Sequence, residues 1–325
     1  VLRRLFAFAE PFILALLSTV LLATLLPVRG VAAAIFDIIT DIGIALLFFL
    51  HGAKLSRQAI IDGARNLPLH LTVLATTFIL FPLLGLALTH LPMLPPELAA
   101  GMLFLTLLPS TVQSSIAFTA IARGNVAAAV CSASFSNLIG IVATPALVAL
   151  LMNRTGSAAP LSFASVQSIL LQLLLPFVVG HMMHGRIGGF VHRHKKWVTL
   201  VDRGSILLVV YTAFSAAVVE GLWHAVSGEM LALLILLCCL LLVIVMTATQ
   251  ALGKMMGFDQ EDAIVLLFCG SKKSLASGVP MAGILFPVAQ VGGIILPLIF
   301  FHQIQLIACA IIARRFEHGT QPARA

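Results

Sequence analysis

The sequence predicts an all-α polytopic membrane protein of ten transmembrane helices, arranged as two inverted five-helix repeats. Three observations carry that expectation. The first is composition: of 325 residues, 60% are apolar and only 10% are charged. A mean hydropathy of +1.11 then leaves a surface suited to hydrocarbon, which excludes a soluble fold. The second is pattern, because the apolar runs show no strand-like alternation and an open strand cannot satisfy its backbone in a bilayer. The third is an interruption that recurs at the same place in both halves of the chain.

At ~20 residues per span, the apolar runs give candidate helices at 11–28, 31–52, 68–90, 97–122, 125–152, 162–184, 202–222, 229–252, 261–285 and 288–313, each bounded by Pro, Gly, Asn or charge. The first lacks a small-residue cleavage site and is read as a permanent helix. With the amino terminus in the cytoplasm, fifteen of the nineteen Lys and Arg residues fall on that side. Arg29 and Arg154 fall on the other, and Lys272 and Lys273 lie within a span. Both termini are therefore expected in the cytoplasm. Orientation, with anionic lipid headgroups as partner, accounts for the net charge of +7. A nucleic-acid partner is not expected, since no basic stripe with interleaved aromatics is present. Cys131, Cys238, Cys239, Cys269 and Cys309 all lie in apolar runs and read as small core residues rather than a disulfide or zinc framework.

Ten spans with both ends inside make spans 1–5 and 6–10 antiparallel copies. The fourth span of each half is flawed. In span four, Pro109 removes a backbone donor, and Ser110, Thr111, Gln113, Ser114 and Ser115 break the apolar run. In span nine, Gly270, Ser271, Lys272, Lys273 and Ser274 do the same. Unwound backbone at mid-bilayer depth has to line a polar cavity, so paired interruptions point to a substrate site.

The stretches GIALLFFLHGAKLS (43–56), LLPSTVQSSIAF (107–118), ARGNVAAAV (122–130), FCGSKKSLASGVPMA (268–282) and LPLIFFHQIQL (296–306) resemble the bile acid:sodium symporter superfamily, in particular its sodium/bile acid cotransporter 7-like branch. The resemblance implies a core domain of spans 3–5 and 8–10, in which spans four and nine break and cross. A panel domain of spans 1, 2, 6 and 7 would face it, with substrate between the two. The panel would take residues 1–67 and 154–228, the core 68–153 and 229–315, and 316–325 would form a cytoplasmic tail. By resemblance, one sodium is held at the span-four break, at Ser114 and Ser115, with hydroxyls of span five. The expected span-five positions fall near Ala129 and Ala133, with Ser132, Ser134, Ser136 and Asn137 beside them. For a second sodium the span-three Gln of the family falls on Thr77, its span-nine Glu on Phe268 and its span-nine Gln on Lys272. The second site, as the family builds it, is missing.

Each break offers carbonyls and amides side by side, which suits an anion plus a cation. Gln113, Ser114, Ser115, Ser271, Lys272, Lys273 and Ser274 are the expected substrate or ion groups. Ser114, Ser115 and Ser274 cap the second half-helices or donate to an anion. Lys272 or Lys273 reads as a tethered replacement for the second sodium, held by the free carbonyls of span nine, whose titration would couple transport to protons. The competing structural role is that one lysine locks the crossing while the other reaches water. Asp41, one turn from Asp37 on span two, is a candidate counter-charge across the cleft, and His302 and Gln305 are candidate coupling groups on span ten. Arg123-Gly124-Asn125 reads as a tight turn in which Gly and Asn take positive φ.

The expected function is secondary active transport of a small or amphipathic organic anion in a bacterial inner membrane, by alternating access. Sodium coupling is what the resemblance implies, and proton coupling or sodium independence is what the departures imply. No cofactor is expected beyond Na+ as a coupling ion. A cation/proton exchanger lacks an acid at either break. A serine hydrolase using Ser271 or Ser274 lacks geometry, because adjacent Ser and Lys on a helix do not face each other. A regulator of the same fold that no longer cycles is the remaining alternative.

Overall fold

The computed structural model describes residues 11–54, 66–90, 94–152 and 163–319, and all regular structure among them is helical. Arg3, Arg4, Arg57, Arg65, Arg154 and Arg324 of the charge tally, and the end of the expected tail, lie outside the described residues. In chain order the helices are α1 (Pro11–Leu25), α2 (Val31–Lys54), α3 (Leu67–Ala75), α4 (Phe81–Thr89), α5 (Pro96–Leu107), α6 (Gln113–Ile121), α7 (Val126–Leu147) and α8 (Phe163–Met182). There follow α9 (His184–Arg193), α10 (Lys195–Val219), α11 (Leu222–Ala225), α12 (Gly228–Met255), α13 (Gln260–Gly270), α14 (Leu275–Leu285) and α15 (Val288–Gly319). A π-turn, Thr76–Leu80, joins α3 to α4, so that 67–89 is one continuous rod.

Among the described residues, six helical stretches are long and apolar enough to cross a membrane unbroken: Val31–Lys54, Leu67–Thr89, Val126–Met152, Lys195–Val219, Gly228–Met255 and Val288–Glu317. The expected spans 97–122 and 261–285 are each two short helices separated by non-helical residues, 108–112 and 271–274. One further boundary differs from the sequence reading. The seventh expected span begins at Lys195 rather than 202, and the amphipathic α9 precedes it. Three glycines and only a few apolar residues hide α9 in the sequence, yet Val191 packs with Leu50, Ala53 and Val198.

The turn after α6 corrects another expectation. Arg123 takes the positive φ of 60°, whereas Asn125 is extended and caps α7 through Ala128 N at 3.0 Å. Gly124 is required for space: a Cβ there would lie 2.6 Å from Ile264 Cγ2.

Helix starts are tied together on this side of the bundle. Asn66 caps α3, Asn125 caps α7 and Asp259 caps α13. The Asp262 carboxylate accepts from both asparagine amides, Asn66 Nδ2 and Asn125 Nδ2 (3.0 Å for the latter). Three helix N-termini thus share one negative charge, which their dipoles favour. We expect Asp262→Ala to lower stability by about 1–3 kcal/mol, read as a lower thermal midpoint of the detergent-purified protein, with Asp262→Asn retaining part of the loss.

Helices α2 and α8 meet backbone to backbone. A Cβ at Gly52 would lie 2.0 Å from the Phe177 carbonyl oxygen, and one at Gly180 would lie 2.0 Å from the Phe49 carbonyl oxygen. Without a hydrophobic drive between helices in lipid, such backbone contact is a main source of packing energy. All five cysteines are free, four of them buried, in line with core roles.

Candidate functional site

Pro109 has no N–H, and the chain leaves helical geometry at Leu108, so the last carbonyls of α5 lose their usual partners. The carbonyls from Thr106 to Ser110 are satisfied from elsewhere. Thr106 O and Leu108 O accept from Lys273 Nζ at 2.8 and 2.7 Å. Leu107 O accepts from Thr144 Oγ1 at 2.8 Å, Pro109 O from Ser274 N at 2.9 Å and Ser110 O from Asn137 Nδ2 at 2.7 Å. Ser110 N donates to Ser136 Oγ at 2.9 Å.

The second interruption is held in the same way. Ser115 Oγ donates to Phe268 O at 3.0 Å, Ser110 Oγ to Cys269 O at 2.6 Å and Ser271 Oγ to Leu267 O. Gln305 brackets the Lys273 peptide, accepting from its N–H and donating to its carbonyl, both at 2.9 Å. Ser274 Oγ caps α14 by accepting from Ser277 N at 3.1 Å. The two breaks touch directly, through Ser274 N to Pro109 O, and indirectly through Asn137, whose Oδ1 accepts from Ser277 Oγ at 2.8 Å.

Lys273 Nζ has a third acceptor, Thr77 O at 2.9 Å. The backbone explains why that oxygen is free. In the π-turn Phe81 N–H bonds Thr76 O, and the next donor in that register would be residue 82, which is proline. An ammonium has three N–H groups, and three carbonyls receive them. This corrects the expectation in two ways: the carbonyls that hold the cation come from spans three and four rather than nine, and neither lysine reaches water. Lys272 and Lys273 are both 0% exposed. Lys272 Nζ lies 4.1 Å from the Phe118 ring centroid and 5.3 Å from that of Phe268.

A cavity of about 540 Å³ lies against both breaks. Its polar floor is Thr111, Gln113, Ser114, Ser134, Asn137, Ser274, Ser277 and His302. Phe12, Phe48, Phe118, Phe177 and Met281 supply apolar walls, and His51, Lys54, Asp202 and Arg203 line the same space. Lys54 and Asp202 form an ion pair, and the Arg203 guanidinium sits 5.2 Å from the Phe12 ring centroid.

The structure brings Gln113, Ser114, Ser134, Asn137, Ser274 and His302 to one cavity. Other expected ion-site residues are engaged elsewhere: Thr77 Oγ1 donates to Val73 O at 2.8 Å, Ser132 Oγ bonds His70 Nδ1 at 2.7 Å, and Ser136 holds Ser110. Gln305 is fully buried as the Lys273 clamp rather than a cavity group, and it also bonds His302 Nδ1 at 2.8 Å. Asp41 is exposed and does not line the cavity. Its neighbour Thr40 takes the inward face of α2 and bonds Thr212 Oγ1 at 3.1 Å, which turns Asp41 about a quarter of a helical turn away. The acid at the cavity is Asp202, which sequence reasoning missed together with His51. Lys54 and Arg203 entered only the orientation tally; the signal was the i, i+3 spacing of His51 and Lys54 at a span end.

A helical membrane protein with a partly polar cavity built on two interrupted helices has the architecture of a solute transporter. The chain belongs to the SBF-like CPA transporter family, whose profile matches residues 10–318. It is 55% identical to an uncharacterized protein of Pseudomonas aeruginosa over 97% of this chain and 95% of that one. It is 50% identical to the protein named "Putative symporter YfeH" of Escherichia coli, over 99% and 97% of the two chains. Sodium/bile acid cotransporter 7 of Rattus norvegicus is 26% identical over 84% of this chain and 82% of its own.

Proposed function

We propose that the protein is a secondary active transporter that moves an amphipathic organic anion by alternating access, with Lys273 in place of a second sodium ion. One observation carries the reading: a cavity of about 540 Å³ has both helix interruptions as its polar floor and aromatic side chains as its walls. Such a space matches a molecule with a polar head and an apolar body. The first amides of α6 have no side-chain cap, and Gln113 and Ser114 open onto the cavity, so an anionic head finds partial positive charge there. No enzymatic step is part of the reading.

The contacts support two inverted repeats. Helix α1 packs on α10 as α8 packs on α2, the pairing that two antiparallel halves would generate from spans 1, 7, 6 and 2. The cavity is bounded on one side by α1, α2, α8 and α10, the proposed panel, and on the other by α6, α7, α14 and α15 of the proposed core. Lys54 and Arg203, both on the cytoplasmic tally, share the cavity, so in the proposed inner-membrane orientation this conformation opens inward.

Sodium-independent transport is the form we favour. Of the first sodium position, Ser114, Ser115, Ser132, Ser136 and Asn137 each have a protein partner, while Ser134 lines the cavity. The three carbonyls around Lys273 already hold a cation. Exchange of labelled taurocholate and of small organic carboxylates in proteoliposomes tests the reading. We expect saturable exchange that survives replacement of Na+ by choline. Absence of exchange with every anion sinks the transporter reading, and a strict sodium requirement sinks its sodium-independent form.

A further inference from the structure

Two adjacent lysines occupy the second interruption, and their surroundings are opposite. Lys273 has one carbonyl for each N–H of an ammonium. Lys272 is as deeply buried, yet among the described residues its Nζ has no hydrogen-bond partner. Among the described residues no carboxylate pairs with it. The titratable groups facing it are the thiols of Cys269 on α13 and Cys309 on α15, the imidazole of His302 on α15, and Lys273 beside it. Helix α6 contributes the Phe118 ring and no titratable group.

A desolvated ammonium needs acceptors for its N–H groups, and two aromatic faces replace only part of its lost hydration. A free amine, with one lone pair and two N–H groups, is much less costly to bury. The cage around Lys272 therefore fits –NH2 in this conformation. Phe118 also lines the cavity, while Lys272 lies behind it. Phe118 is thus the side chain that stands between the cavity and Nζ.

Resting on the transporter reading above, we propose that Lys272 is a proton-binding site of the transport cycle. In a conformation that gives Nζ water, a proton adds to the lone pair to make –NH3+, and it returns to water before the cage closes. An anion at the cavity floor favours the ammonium, and by reciprocity the ammonium favours the anion. The site thus couples one proton to the organic anion in the same direction.

The test compares wild type with Lys272→Met and Lys272→Gln in proteoliposomes, following taurocholate exchange at a series of pH values equal on both sides. Over part of the range, wild-type affinity should weaken about tenfold per unit rise in pH, as one linked proton requires, whereas both variants should give flat profiles. Variant profiles that slope like wild type overturn the proposal. A second measurement needs no substrate: thermal unfolding of the detergent-purified proteins against pH. If folding buries Lys272 without its proton, the unfolded chain gains one, and the wild-type midpoint climbs with pH relative to the variants. Parallel curves overturn the proton site whatever the exchange assay shows. Diverging curves without exchange of taurocholate or small carboxylates uphold Lys272 and count against the transporter reading.

Discussion

Lys273→Ala is expected to destabilise the protein by about 3–5 kcal/mol, and sodium is expected to return part of that loss. The ammonium bridges carbonyls from two separate elements, Thr77 of the π-turn and Thr106 and Leu108 at the end of α5. Removing it leaves three buried acceptors unpaired, at about 1–3 kcal/mol each, less whatever the backbone recovers by relaxing. The space vacated has the chemistry of a monovalent cation site: several carbonyl oxygens converging on one point, at depth, with no competing donor. Thermal midpoints in sodium chloride and in choline chloride should coincide for wild type and separate for Lys273→Ala, with sodium the stabilising salt. Lys273→Arg should not substitute, because a planar guanidinium cannot direct its donors at three converging carbonyls as an ammonium does. A variant that melts like wild type in both salts would show that these carbonyls find other partners and that Lys273 is no stand-in for sodium.

Why the two lysines could not be told apart in the sequence is a matter of acceptors rather than donors. Pro109, and the run of hydroxyls and amides after it, announce an interruption, as do Gly270 and the charged pair in span nine; the chain breaks at both places. The partners of Lys273, however, are main-chain oxygens. Thr77 O is free only because a π-turn shifts the register by one and Pro82 then withholds a donor, and such a register is set by packing, which no residue type encodes. The hydroxyls of span five show the complementary failure. Ser132, Ser136 and Asn137 have the chemistry of ion ligands, but the same chemistry satisfies helix ends, and the structure uses them for that. Asp41 was misplaced for a geometric reason, since one step along a helix is 100° and Thr40 holds the inward position. Asp202, at the edge of an expected span, read as a boundary charge and turned out to be the acid of the cavity.

Gly52→Val should prevent the native fold from forming, with a loss exceeding about 4 kcal/mol. The obstacle at Gly52 is backbone: the added Cβ would meet Phe177 O at 2.0 Å and His181 N at 2.9 Å, and neither can swing aside as a side chain would. Helices α2 and α8 would have to part, and the reciprocal contact of Gly180 with Phe49 O would be lost with them. The consequence extends to the cavity, because α2 carries Phe48, His51 and Lys54 and α8 carries Phe177 on its walls. Even a fraction that folded would present a widened space, with Lys54 pulled out of reach of Asp202. Gly189→Ala is the matched control. It lies on α9 with open space where a Cβ would go, so it should be neutral or stabilise by up to about 1 kcal/mol through helix propensity. Monodispersity on size exclusion and the thermal midpoint from tryptophan fluorescence, read for both variants, decide the matter: if Gly52→Val remains monodisperse and melts within a few degrees of wild type, the backbone contact between α2 and α8 does not hold the cavity wall in place.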